Sequence, residues 1–211
     1  MGLSESVAGA INGLFETVSG ETEAICRDAK SSNLSDWKTA QLTKATAIGA
    51  GSAVIPVAGY LTLPADLVAT LRIMHRAATG ICFLRLGYAD DDTFGGVLAV
   101  WSGAVTLDAN LAKQIAAKGL AAGATTIGGK MGLKMAIKAF SLSAGVFAAK
   151  KLGPKVAQKV ASKIATKLAS KASTRWIPGL SALVGGGVNW WLVNDICDAA
   201  DRYCGFIKEN S

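Results

Sequence analysis

Apolar residues recur along this 211-residue chain mostly at three- and four-residue spacing, the period of an α-helix. Val7, Ile11, Leu14, Phe15, Val18 and Ile25 predict a first amphipathic helix over 4–30, with Ser4 as its N-cap. Ser31, Ser32 and Asn33 end it. A second helix is predicted over 35–48, with Asp36 in the first turn, where the positive end of the helix dipole favours an anion. Residues 45–65 then carry no charge, a length that would just span a bilayer. Pro56 and Pro64, with Gly49, Gly51 and Gly59, instead favour a buried Gly-rich turn leading into a core helix over 65–85. Pro64 suits the first position of that helix and Gly87 its stop. After the loop and N-cap cluster Asp90-Asp91-Asp92-Thr93, further helices are predicted over 93–118, 130–149 and 183–207. No stretch alternates with period two, so no sheet is predicted.

Composition sharpens this picture. Hydrophobic residues make up 51% of the chain and charged ones 18%, so much of its surface must be buried or offered to a membrane or partner. Glycine is abundant at 24 residues while proline numbers 4; that balance argues against disorder and for helices that approach closely. The expected fold is all-α: one domain over 1–211, a compact bundle of about seven helices with Gly/Ala-rich close helix packing. The amphipathic helix within 1–33 is expected to pack on or beside it.

Charge is segregated. Residues 109–194 hold 13 Lys or Arg and no Asp or Glu, while the rest holds 9 basic and 15 acidic residues. Within the basic segment Lys151, Lys155, Lys159, Lys163, Lys167 and Lys171 recur every four residues. Each step advances about 40° past a full turn, so they form a slowly winding stripe. Val156, Val160, Ile164 and Leu168 form a matching apolar stripe. A basic amphipathic helix over 150–175 follows, closed by Arg175, with three readings. It docks on the chain's own acidic half, it meets an anionic membrane surface or lipid, or it binds nucleic acid. The last is disfavoured, because the segment has one Arg and no aromatics interleaved with its lysines. A protein partner is a further option.

Two stretches carry a family resemblance. Gly49-Ala50-Gly51 through Ile55-Pro56-Val57-Ala58-Gly59, then Leu63-Pro64-Ala65-Asp66-Leu67, Leu71-Arg72 and the turn Leu86-Gly87-Tyr88-Ala89-Asp90-Asp91-Asp92, form one. Ile177-Pro178-Gly179 leading to Val184-Gly185-Gly186-Gly187-Val188-Asn189-Trp190 is the more specific one. The chain resembles the EcsC family over about 44–203, with the Lys/Ala-rich middle similar in style only. Trp191, Asp195, Asp198 and Asp201 depart from a family tail that is often more basic. The resemblance implies a helical fold and little chemistry.

The sequence holds little recognisable chemistry. Gly123 to Gly128 has the glycine spacing of a phosphate loop, but Gly129 stands where Lys is needed. Gly49-Ala50-Gly51-Ser52-Ala53-Val54 lacks the third glycine of a dinucleotide fingerprint. His75 is the one histidine, so a His-rich metal site within one chain is excluded and a half-buried helical position is expected. Asp66 and Arg72 lie about 240° apart on one helix and do not face each other. Asp66, Arg72, His75 and Asn189 are nonetheless the candidates for a polar site inside an apolar bundle. Asp90-Asp91-Asp92 lacks the spacing of a calcium loop and reads as a solvated cap. Cys26, Cys82, Cys197 and Cys204 include no C-x-x-C pair and read as free thiols. With no basic, apolar leader at the N-terminus, the expected location is cytoplasmic, peripheral to a membrane where the basic helix engages one. Met1-Gly2-Leu3-Ser4-Glu5-Ser6 fits a short N-acylation pattern.

The expectation is therefore a non-enzymatic, membrane-surface-associated protein with no cofactor, no metal and no catalytic residue. A bundle holding a lipid-like ligand in an apolar cavity is the alternative, and a bilayer-inserting effector using 45–65 and 176–194 is a third.

Overall fold

The computed structural model describes residues 20–53, 63–108, 147–148, 151–152, 158–166 and 180–209, with side chains over 20–50, 67–108, 158–166 and 186–209. Six helices lie within them: α1 (Thr22–Lys30), α2 (Leu34–Ala53), α3 (Leu63–Leu86), α4 (Thr93–Trp101), α5 (158–166) and α6 (Leu180–Glu209). The described body is all-helical apart from a two-residue antiparallel pairing of β1 (Phe147–Ala148) with β2 (Lys151–Leu152), in which Phe147 faces Leu152.

Local chemistry accounts for the boundaries. Asn33 and Asp36 cap α2 reciprocally: the Asp36 backbone N–H donates to Asn33 Oδ1 (2.9 Å) and Asn33 Nδ2 donates to Asp36 Oδ2 (2.7 Å). The first satisfies a backbone N–H that the opening turn leaves without a partner, and the second holds the two side chains together. The second helix is longer than expected, running on through Gly49 and Gly51 to Ala53. Gly87 closes α3, its N–H donating to the Phe83 carbonyl at 2.8 Å.

Four expected helices differ in extent. The first does not run unbroken over 4–30: Gly20 adopts φ +107° and α1 starts at Thr22, because that left-handed backbone has no place inside a right-handed helix. The helix expected over 93–118 stops at Trp101. The chain turns through Ser102 and Gly103, whose φ is +70°. The end of the helix expected over 130–149 is strand at 147–148, and Lys151 is strand rather than helix. Phe147 is a residue type that strands favour. The rest of that helix, residues 4–19, 54–62, 167–175 and Ile177-Pro178-Gly179 lie outside the described residues.

The 30-residue α6 spans about 45 Å and is the spine. It packs on α2, α3 and α4, while α1 packs on α3. Eight of the nine residues of α4 are buried, the mark of a helix enclosed on all sides. Leu71, Met74, Ile81, Phe94, Leu98, Leu192 and Ile196 form the heart of the core, joined from α5 by Val160, Ala161 and Ile164 at 0% exposure. Close approaches occur at glycines: a Cβ at Gly96 would stand 2.8 Å from the Tyr203 hydroxyl, and one at Gly186 3.2 Å from the Thr46 carbonyl oxygen. Among the described residues one helical window, Leu67–Leu86, is long and apolar enough to cross a membrane, and 67% of it is buried inside the fold.

Candidate functional site

The basic helix meets the body where α4 ends. Helix termini leave backbone carbonyls without partners and carry partial negative charge. Two lysines one turn apart on α5 answer that need. Lys163 Nζ donates to the Trp101 carbonyl at 2.8 Å, and Lys159 Nζ donates to the Gly103 carbonyl at 3.0 Å. Lys163 also pairs with Asp195 of α6 (Nζ to Oδ2, 2.8 Å). The same carboxylate oxygen accepts a hydrogen bond from Trp101 Nε1 at 2.8 Å. Two indoles complete the seat: the ammonium lies 4.3 Å from the Trp101 ring centroid and 5.8 Å from that of Trp191. A cation over an indole face is drawn by the ring quadrupole. The seat is only partly dry, with the Lys163 and Asp195 side chains 33% and 27% exposed.

The helical period explains the placement. Val160, Ile164 and Ala161 form the buried edge of α5, and Lys163 flanks it. Burying Val160 and Ile164 contributes roughly 1.5–3 kcal/mol each. Of the sequence-predicted anion-binding residues, Lys159 is exposed and Lys163 half-buried. Lys155, Lys167, Lys171 and Arg175 lie outside the described residues, and Lys151 sits in β2.

The acidic trio of α6 has a purpose the sequence did not reveal. Asp195 holds α5, Asp198 holds Lys38 of α2 (2.7 Å), and Asp201 holds Arg85 of α3 (2.9 Å). Steps of three residues rotate each aspartate about 60° back around the helix, so the three face three different neighbours. The pattern i, i+3, i+6 was visible in the sequence; its basic partners, 32 to 160 positions away, were not.

The candidate buried polar residues do not converge. Asp66 belongs to the first turn of α3, but its side chain is outside the described set. Arg72 is exposed: three residues before His75, it lies about 60° around α3, enough to leave the core face. His75 is buried at 2% exposure, deeper than the half-buried position expected, because Phe94 packs edge-on against its ring at 5.1 Å. Burial pushes its pKa down to about 4; Asp91 opposes that shift and Arg76 adds to it. His75 Nδ1, Gln41 Oε1, Thr79 Oγ1 and Trp37 Nε1 are buried without a partner among the described residues. Asn189 is buried at 1% exposure on α6.

The Asp90-Asp91-Asp92 cluster acts as a joint. Thr93 Oγ1 donates to Asp90 Oδ1 (2.7 Å) and accepts from the Asp90 backbone N–H (2.9 Å). Asp92, at the cap position, makes no capping side-chain bond. Asp91 Oδ1 accepts from Thr22 Oγ1 at 2.7 Å, tying α1 to this turn. Among the described residues no three His, Cys, Asp or Glu side chains are arranged to hold a metal. All four cysteines are free thiols, Cys82 of α3 and Cys204 of α6 both buried.

A groove of about 450 Å³ opens on the outer face of α2, lined by Thr39, Leu42, Thr43, Thr46, Ala47 and Trp190. Among the described residues Trp190 is the large apolar side chain left exposed, at 43%. Comparison of the chain with family models, with curated proteins and with solved structures found no match.

Proposed function

We propose that the protein is a non-enzymatic, EcsC-like helical body that associates with anionic membrane surfaces through its basic segment. The observation that carries this reading is the charge segregation: 13 basic and no acidic residues over 109–194. Several acids of the body are engaged in holding it together. Asp28, Asp198 and Asp201 pair with Arg76, Lys38 and Arg85, none of which belongs to that segment, and Asp195 neutralises one of its 13 basic residues, Lys163. The excess positive charge therefore remains for an external anion, at about 1 kcal/mol per lysine or arginine near an anionic lipid surface. Exposed Trp190 supports the same reading, since tryptophan favours the membrane–water interface. A catalytic role for the one histidine is disfavoured by its burial against Phe94.

Co-sedimentation with phosphatidylglycerol–phosphatidylcholine vesicles tests the proposal. Binding is expected at low ionic strength and should weaken as salt is raised, because surface charges are screened. Absence of binding at every salt concentration would overturn it.

A further inference from the structure

The apolar edge of α5 is already in use. Val160, Ala161 and Ile164 are at 0% exposure within the core, yet an interfacial helix must place that same edge among the lipid acyl chains. One face cannot serve both at once. Lys159 and Lys163 are likewise turned to the carbonyls of Gly103 and Trp101, and Lys163 to the carboxylate of Asp195.

We propose that α5 is a releasable latch, docked through Lys163 in solution and withdrawn from the body when an anionic lipid surface competes for its lysines; this rests on the membrane-surface reading above. Three features of the seat fit a latch. Its grip on Lys163 consists of one carboxylate, one carbonyl and two indole faces, and lipid phosphates are stronger acceptors than a carbonyl. The Lys163–Asp195 pair is about one-third exposed on each side, so solvent reaches it and the exchange strands no dry charge. Asp195 keeps a donor when α5 leaves, because Trp101 Nε1 binds the same oxygen. Departure also bares Trp101 and Trp191, residues suited to an interface.

The test compares Asp195→Asn with Glu23→Gln in vesicle binding. Both make the same change in net charge, but Glu23 lies exposed on α1, away from the seat. The latch predicts that Asp195→Asn binds phosphatidylglycerol–phosphatidylcholine vesicles roughly five- to tenfold more tightly than Glu23→Gln. Equal affinities would overturn it. A second measurement needs no variant. A carbodiimide joins Lys163 to Asp195 as a zero-length amide with loss of water, detectable by peptide mass spectrometry. The cross-link should form in solution and fall severalfold in vesicle-bound protein. An unchanged yield on vesicles would overturn the latch while leaving the surface reading intact. Failure of the wild type and both variants to bind vesicles would overturn both.

Discussion

Trp37 packs directly on Gly80, so closely that a Cβ at position 80 would fall within its indole. One turn earlier on α3, the Arg76 guanidinium lies 5.2 Å from the same ring's centroid and pairs with Asp28 of α1. Three helices thus meet at one tryptophan, and glycine is what admits it. Gly80→Ala is expected to destabilise the fold by about 1–3 kcal/mol through overpacking, despite the roughly 1 kcal/mol by which alanine favours a helix over glycine. Gly187→Ala in α6 provides the contrast. It is exposed with nothing within 4 Å of its would-be Cβ, so the same exchange should stabilise by up to about 1 kcal/mol. Urea unfolding of the two variants should show shifts of opposite sign.

His75 makes stability depend on pH in a defined window. Its folded pKa, about 4, lies below the ordinary 6.5. Between those values the unfolded chain takes up a proton that the native state refuses, so stability rises with pH across the window and levels off above it. The contribution lost on acidification from 6.5 to 4 is about 3 kcal/mol. His75→Gln should remove this component. Unfolding free energies of wild type and variant, measured from pH 7 to pH 4, should diverge across that range. Parallel curves would mean that His75 titrates normally in the fold.

Much of the helical layout could be read from the sequence because it rests on local chemistry. Asp36 in a first turn and Gly87 as a stop are statements about neighbouring residues, and the structure bears them out. Where the pattern failed, tertiary demands prevailed. The apolar run after Thr93 reads as one long helix, yet the chain turns at Gly103 and presents carbonyls that Lys159 and Lys163 occupy. Periodicity alone showed that lysines and apolar residues alternate on α5, but not which way the apolar edge points. The partner of Lys163 is 32 positions away and follows the acid-free segment, so no local window holds both. His75 illustrates the same limit: its helical position was visible, its Phe94 neighbour was not.

The cysteines should divide by accessibility. Cys26 is half-buried, whereas Cys82, Cys197 and Cys204 are buried. Burial raises the Cys82 thiol well above its ordinary range and pushes Cys197 up to about 12, which suppresses the reactive thiolate. Burial raises Cys26 more mildly, against a backbone hydrogen bond with Ala89. A thiol reagent at neutral pH should therefore label Cys26 first. The other three should react at the rate of global unfolding and become fully reactive in denaturant. Rapid labelling of Cys82 or Cys204 in the native protein would show that the α3–α6 contact opens readily.

Asp195 and Lys163 should not be equivalent under mutation, although they share one ion pair. Removing Asp195 orphans Trp101 Nε1 and takes from the Lys163 ammonium its carboxylate, leaving it the Trp101 carbonyl. Removing Lys163 leaves Asp195 with its indole partner and only releases the α4 carbonyl to solvent. Asp195→Ala is therefore expected to destabilise by about 1.5–3 kcal/mol, the range for hydrogen bonds to charged groups, and Lys163→Ala by less. Lys38–Asp198 provides the reference. Its side chains are 29% and 46% exposed, and pairs of that kind couple by about 0.2–1 kcal/mol. Double-mutant cycles on both pairs, by chemical denaturation at low and high salt, would rank them. The Lys163–Asp195 coupling should be the larger, because the two indole faces and the Trp101 carbonyl pre-position the ammonium. Lys163→Ala proving as costly as Asp195→Ala would mean that α5 is held mainly by the apolar edge of Val160 and Ile164, with the carboxylate contributing little.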